Sequence, residues 1–327
     1  MAILRVSDVI VPEVYARYLT EDSIKNTSLY RSGILATSQQ LNSLLSGGGE
    51  TFNMPFWQRL SGDLEAIQSD FTLTPAKAST SKMVARRLLF GKAWSAEDLA
   101  SALSGENAMA AIQSMVDEYW SWQQQRVLFA IIKGVIADNV DNDSGDLVHD
   151  ITTSGTVAAG NKISSSAVIA GHGKLGDAAG AFTAIAMHSV PYYTLVALNL
   201  IDFEPTNTQN LGFGTYLGLS VIVTDELTAD TDGANSVYWN ILFKPGAIGY
   251  GESASGIVPV ETDRIALDSE DILVTRRQFA MHPLGFKWLE TSVASTMPTR
   301  DELEEPGNWD RVYEKKNCGI VVIKTNG

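Results

Sequence analysis

Five side chains of this 327-residue chain, four histidines and one cysteine, have the chemistry to bind a transition metal or act as a nucleophile. The histidines are His149, His172, His188 and His282. No two of them have the H-x-x-x-H spacing of a zinc site on a helix. The single cysteine, Cys318, begins an apolar run that ends at residue 323, which favours a buried structural thiol over a reactive one.

Enzyme motifs are missing from the sequence. It contains no phosphate-binding loop, no dinucleotide-binding glycine pattern, no nucleophile elbow and no C-x-x-C pair. We therefore expect no catalytic residues, no cofactor and no metal site. A soluble enzyme of unknown chemistry remains the alternative, and its candidate residues in the second half of the chain are Asp225, Glu226 and His282.

One polar segment has the composition of a calcium-binding loop. Asn139, Asp141 and Asp143 alternate with other residues, and Asp150 follows at the last ligand position. Ser144 stands where such loops have Gly, and their usual last ligand is Glu. The segment is therefore interpreted as a polar turn.

Charge is unevenly distributed along the chain, whose net charge is −14 at pH 7. Residues 1–92 hold ten basic and eight acidic residues, a balance of +2, whereas the remainder holds 14 basic and 30 acidic residues, a balance of −16. An excess of acid argues against a dedicated nucleic-acid binder. No stretch approaches 18 apolar residues, so no membrane span is expected.

A basic stretch without acids runs from Phe71 to Ala96. Its cations are Lys77, Lys82, Arg86, Arg87 and Lys92. They are suited to contact either nucleic acid or an acidic protein surface. The acidic balance of the rest of the chain favours the protein surface.

Residues 106–138 contain no Pro and one Gly, Gly134, and their apolar residues recur mostly every three or four positions. This spacing is typical of one helix face and predicts a helix about 50 Å long. The face is predicted to form the core of its domain and consists of Met109, Ile112, Val116, Tyr119, Val127, Ile131 and Val135.

The segments before this helix are predicted to be extended. Residues 1–50 are interpreted as an arm with short helices, and residues 51–92 as a long β-hairpin with an acidic first strand and a basic second strand. An isolated hairpin is only marginally stable in water, so a partner surface is expected to cover it. Ser95 and Asp98 have the spacing of a capping box that opens a short helix.

The segments after the long helix mix helices and strands. Residues 175–200 are predicted to form a second helix that ends near Pro191 or restarts after it, and short β-rich runs follow from Tyr216 onward. The strands and helices do not alternate regularly, so the expected class is α+β.

The order of several local patterns resembles the major capsid proteins of tailed bacteriophages, which have the Hong Kong 97-type fold. The patterns are Pro12-Glu13-Val14-Tyr15, Met54-Pro55-Phe56-Trp57, Ser104-Gly105-Glu106-Asn107-Ala108-Met109, Leu175-Gly176-Asp177 with Met187-His188-Ser189, and Asn308-Trp309. The resemblance covers nearly the whole chain.

The resemblance implies a division of the chain into named parts. Residues 1–50 would be the N-terminal arm and residues 51–92 an extended loop lying over a neighbouring subunit. Residues 93–155, with a spine helix at 106–138, would form the peripheral domain together with the returning strands of residues 258–327. Residues 156–257 would form the axial domain. The five basic residues would then be inter-subunit contacts.

The resemblance also implies the function. The chain would be a structural subunit, not an enzyme, that assembles as pentamers and hexamers into an icosahedral shell around double-stranded DNA, without sequence-specific binding. Portal, scaffolding and decoration proteins would be its partners. The shell would belong to the virion and assemble in the host bacterial cytoplasm. A cellular nanocompartment of the same fold is a second alternative.

Overall fold

Two β-sheets and a long helix that contacts both of them form the frame of the molecule. The computed structural model describes residues 32–67, 75–104, 107–201, 214–233 and 235–327. The predicted arm before residue 32, Asp70 of the predicted acidic strand, and Glu106, the predicted first residue of the long helix, lie outside these ranges.

The described residues form 16 strands and six α-helices. The strands are β1 (Leu35–Thr37), β2 (Thr51–Trp57), β3 (Thr80–Arg86), β4 (Leu88–Glu97), β5 (Val148–Asp150), β6 (Ala184–Met187), β7 (Thr215–Tyr216), β8 (Leu219–Val223), β9 (Thr228–Asp232), β10 (Asn235–Phe243), β11 (Ile248–Glu252), β12 (Val260–Ile265), β13 (Glu270–Pro283), β14 (Phe286–Trp288), β15 (Trp309–Arg311) and β16 (Ile320–Thr325). The helices are α1 (Gln39–Ser46), α2 (Asp98–Ser104), α3 (Ala108–Asn142), α4 (Ser165–Gly173), α5 (Ser189–Ala197) and α6 (Arg300–Glu304). The predicted mixture of helices and strands is confirmed.

The first sheet is built around β13, which pairs with β4 on one side and with β11 and β12 in succession on the other. Strand β1 adds to β11 in parallel. The second sheet has the order β5-β16-β10-β6-β8-β7, with β9 paired to β10. Each sheet combines strands from distant parts of the chain. Strand β11 joins the first sheet, and the last strand, β16, joins the second.

Helix α3 is the predicted long helix and extends to Asn142 instead of ending at Asp138. Asn107 caps its start, because the Asn107 side-chain oxygen accepts a hydrogen bond from the amide of Ala110 at 3.1 Å. Within the described ranges, no helix combines the length and the apolarity that crossing a membrane requires.

Burial of α3 differs between its two halves. Of the seven predicted face residues, Val127, Ile131 and Val135 are buried, whereas four are half-buried. The half-buried residues are Met109, Ile112, Val116 and Tyr119. The second half is buried almost all round, with Leu128, Phe129, Ala130, Ile132 and Ile136 also in the core. Helix α6, strand β15 and the turn before β15 pack against α3.

Two helix predictions differ from the structure in extent. Ser95 pairs with Ile272 inside β4, so it caps no helix, and α2 begins only at Asp98. Within residues 175–200 the chain forms a turn, strand β6 and helix α5. All four residues of β6 are buried because the strand pairs with both β8 and β10, and such strands lack the alternation of polar and apolar residues that marks a half-exposed strand.

The predicted hairpin is shorter than expected. Its two strands, β2 and β3, pair in antiparallel register from Thr51 opposite Arg86 to Trp57 opposite Thr80. Asp63 and Glu65 of the predicted acidic strand lie beyond β2, in an exposed segment without strand structure. Strand β4 leaves the hairpin and joins the first sheet.

Candidate assembly surface

The base of the β2–β3 hairpin is fixed to the rest of the chain by its own small apolar core. This core consists of Leu41 and Leu45 of α1, Phe52 and Met54 of β2, Met83 and Ala85 of β3, and Ala280 of β13. Phe56 adds an edge-to-face contact with Tyr313, with ring centroids 4.8 Å apart. The hairpin therefore leaves the body of the molecule from a rigid base.

Arg86, one of the predicted inter-subunit contacts, holds this base through contacts within the chain. Its side chain is 4% exposed and pairs with Glu290 and with Glu50, the latter at 3.3 Å. It also donates to the carbonyl oxygen of Thr296. A buried guanidinium that already has these partners is not available to a neighbouring subunit.

Arg87 is also engaged within the chain. It donates to the carbonyl oxygen of Gly47 at 2.5 Å and lies over the ring of Phe52, 5.4 Å from the centroid. The contact with Gly47 ties the C-terminal end of α1 to the base of the hairpin. Replacing Arg86 and Arg87 would therefore disturb the fold before it tested any docking contact.

The other three cations of the predicted basic strand are exposed and lie on different elements. Lys77 lies in the segment 75–79, Lys82 on β3 and Lys92 on β4. These three lysines are the part of the predicted contact that remains accessible.

The hairpin loop exposes a row of large apolar side chains. Trp57, Leu60, Leu64 and Ile67 are each at least 74% exposed. In water such a cluster is unfavourable, since burying one Leu side chain is worth about 1.5–3 kcal/mol. Several large exposed apolar residues within one short segment indicate an interaction surface. The last three residues were not predicted as contacts, although three large apolar residues in a polar segment are visible in the sequence.

Exposed carboxylates elsewhere on the chain could receive the three lysines. They include Asp117, Glu118, Asp141, Asp263, Asp268 and Glu305. Asp117 and Glu118 lie on the first half of α3, and Asp263 and Asp268 on and beside β12. One chain thus displays both basic and acidic side chains, so two copies can have complementary charges at a contact.

The residues of the enzyme alternative do not come together. Asp225 lies in the turn after β8, where its carboxylate is 3.6 Å from His188 and accepts from the amide of Ser189. Glu226 accepts from the indole of Trp122. His282 is buried in β13 of the other sheet, where burial lowers its pKa to about 4 and keeps it neutral.

The calcium-loop resemblance has a different explanation in the structure. Arg311 pairs with Asp143 at 3.0 Å and with Asp146 at 2.7 Å. Asn139 donates to Asp146 and accepts from the amide of Leu147. The acidic side chains at the end of α3 therefore bind an arginine of β15. That arginine was not predicted as a partner from the sequence.

Metal and thiol chemistry find no site in the described part of the chain. No group of three or more His, Cys, Asp or Glu side chains there is arranged to hold a metal ion. Cys318 is buried, and burial raises the pKa of its thiol to about 12. A thiol with that pKa is a poor nucleophile at neutral pH.

Comparisons with known proteins agree with one another. The family described as Major capsid protein 13-like matches residues 95–321. The major capsid protein of Bacillus phage SPP1 is 39% identical over 327 residues, which cover 99% of this chain and 98% of that protein.

Solved phage capsids share the fold at low sequence identity. The capsid asymmetric unit of cyanophage Pam1 aligns with a TM-score of 0.65 and 11% identity over 96% of both chains. The capsid of Ralstonia phage GP4 aligns with a TM-score of 0.62 and 8% identity over 100% of this chain and 98% of that one.

Proposed function

This chain belongs to the Major capsid protein 13-like family, and we propose that its exposed hairpin loop joins it to neighbouring copies in the shell. The chain is a structural subunit of a phage capsid and not an enzyme. The observation that carries the loop proposal is the row of four apolar side chains displayed on a rigidly anchored hairpin. Within a shell, every copy buries this row against the next one.

The finer architecture is proposed to be that of the Hong Kong 97-type fold. Residues 1–50 act as the arm, 51–92 as the extended loop, 93–155 with 258–327 as the peripheral domain and 156–257 as the axial domain. Helix α3 is the proposed spine helix. Support comes from the full-length alignment with phage capsids and from the hairpin leaving the body at β2 and β3.

The proposed partners follow from the same architecture. Copies of the chain form pentamers and hexamers, and portal, scaffolding and decoration proteins complete the particle. The net charge of −14 supports the proposal that the shell encloses double-stranded DNA without sequence-specific binding, because like charges keep phosphates mobile. Assembly is proposed to take place in the host bacterial cytoplasm.

Electron microscopy of the purified full-length chain tests the self-assembly proposal. The chain is expressed alone and, separately, with its scaffolding partner. It should form uniform closed shells in at least one of these two conditions. A small oligomer under both conditions would contradict the proposal that this chain supplies the shell contacts.

Reversing the exposed loop charges should prevent assembly without unfolding the subunit. In Lys77→Glu/Lys82→Glu, like charges face the acidic surface of the neighbour, which costs more than removing a pair worth about 0–1 kcal/mol. We expect normal circular dichroism and few shells. Raising salt should restore part of the yield, since screening acts over about 10 Å at 0.1 M.

The matched control is Lys162→Glu/Lys174→Glu, which changes net charge equally on residues outside the hairpin. This variant should assemble normally. Equal loss of shells in both variants would show that total charge, not loop charge, matters. Shells that form normally but retain less DNA would assign the two loop lysines to the nucleic acid instead.

A further inference from the structure

One carboxylate is fully buried in the last turns of α3 without a cation beside it. Asp138 is 0% exposed, and one of its oxygens accepts from the side-chain amide of Asn142 at 2.7 Å. Its other oxygen, Oδ2, is buried and has no hydrogen-bond partner among the described residues. A buried carboxylate normally has a full set of partners, so this one requires an explanation.

The nearest cation is committed to other carboxylates. Arg311 of β15 pairs with Asp143 and Asp146, the two acids that follow the helix. Asp310, also on β15, pairs with Lys287 of β14 at 2.5 Å. The carboxylates of Asp143 and Asp310 therefore repel an ionised Asp138. Arg311 attracts it only weakly, because Arg311 is already paired with other carboxylates.

The remaining elements packed against this part of α3 supply no free cation to Asp138. In α6, Glu304 pairs with Lys133 of α3 itself at 3.5 Å, and Arg300 pairs with its neighbour Asp301 at 3.6 Å. Strand β5 contributes His149 and Asp150, and burial lowers the pKa of His149, which keeps that imidazole neutral near pH 7. The turn that contacts the first half of α3 contributes Asp225 and Glu226, both acidic.

Asp138 lies next to the residues that hold the turn between α3 and β5. Asn139, the next residue along the helix, holds Asp146 and the amide of Leu147, where the chain turns from α3 into β5 of the second sheet. Arg311 ties the same turn to β15, which packs on α3. Charge on Asp138 therefore acts on the joint between the long helix and the second sheet.

We propose that Asp138 is a proton-binding switch that tightens the joint between α3 and the second sheet in mildly acidic solution and loosens it when ionised. A neutral carboxyl removes the repulsion from Asp143 and Asp310. It also gives the side chain a proton that it can donate.

The titration has a definite sign. Burial, together with the neighbouring carboxylates Asp143 and Asp310, raises the pKa of Asp138 to about 6. Its unfolded value is about 3.9. Because the folded state holds the proton more tightly, this stabilisation is fully present below the unfolded pKa and is lost as pH rises through about 6.

Thermal melts of Asp138→Asn and wild type at several pH values test the switch. Asn carries no charge, so the variant should melt several degrees above wild type at pH 7.5. This advantage should shrink as the pH falls below about 6 and vanish near the unfolded pKa of about 3.9. The control is Asp141→Asn, an exposed acid on the same helix, which should follow wild type at every pH. A variant that melts below wild type at pH 7.5, or by a constant difference at all pH values, would overturn the switch.

Hydrogen exchange on the unaltered protein tests the same idea without a substitution. After correction for the intrinsic pH dependence of exchange, peptides containing residues 138–148 should become more protected between pH 7.5 and 5.5. Unchanged protection of these peptides would contradict the switch. Both measurements use the unassembled subunit, so their failure is distinguishable from a failure to form shells.

Discussion

Gly134→Ala should destabilise the subunit severely, although alanine is the better helix former. A Cβ atom at this position would lie 2.1 Å from the carbonyl oxygen of Leu303 and 2.6 Å from Nε1 of Trp309. Those two groups are hydrogen-bonded to each other at 2.9 Å, so neither moves aside without breaking a buried contact.

The magnitudes decide the direction of this effect. Replacing Gly by Ala in a helix gains about 1 kcal/mol from propensity. Overpacking a core typically costs about 1–3 kcal/mol and sometimes more, and a 2.1 Å approach to a backbone atom belongs at the upper end. We expect a clearly lower melting temperature and a poor soluble yield.

Gly173→Ala is the matched control for this substitution. Gly173 ends α4, and a Cβ atom there would meet nothing within 4 Å. This variant should melt close to wild type. If Gly134→Ala melts as high as Gly173→Ala, the close packing of α3 on α6 and β15 is not what holds the helix.

Leu60→Asp/Leu64→Asp should abolish shell formation while leaving the subunit folded. Both side chains are exposed in the single chain, and exposed substitutions usually change stability by less than about 0.5 kcal/mol. In the shell each Leu loses about 1.5–3 kcal/mol of burial, and the loss recurs at every copy. Circular dichroism and melting should stay normal, while electron microscopy shows no shells.

Leu60→Met/Leu64→Met is the conservative control, because methionine keeps the apolar surface. It should assemble like wild type. Normal shells from the aspartate variant would show that the loop row is not an assembly contact.

The sequence was sufficient to predict the long helix and the presence of a hairpin, because both follow from local spacing. The burial of this helix was harder to predict from the sequence. The three-and-four spacing marks one face, whereas burial on all sides depends on elements such as α6 and β15, which lie more than 150 residues later in the chain and pack against the helix. Strand β6 was missed for a related reason, since partners on both edges bury all four of its residues.

The partners of two predicted contact residues within the chain could not be predicted from local sequence. Arg86 and Arg87 belong to a charged run that looked exposed, yet their partners lie far away along the chain. Glu290 and Thr296 reach Arg86 only through the tertiary fold. The packing role of Gly134 also depends on residues far away in the sequence, so no local pattern predicts it.

Oxidative footprinting of Trp57 in free subunits and in purified shells tests the central claim most directly. Trp57 is 74% exposed in the single chain, whereas Trp288 is 3% exposed and serves as an internal reference. We predict ready oxidation of Trp57 in subunits and several-fold protection in shells, with Trp288 low in both. Equal oxidation of Trp57 in subunits and shells would contradict the claim that the hairpin loop is buried on a neighbouring copy.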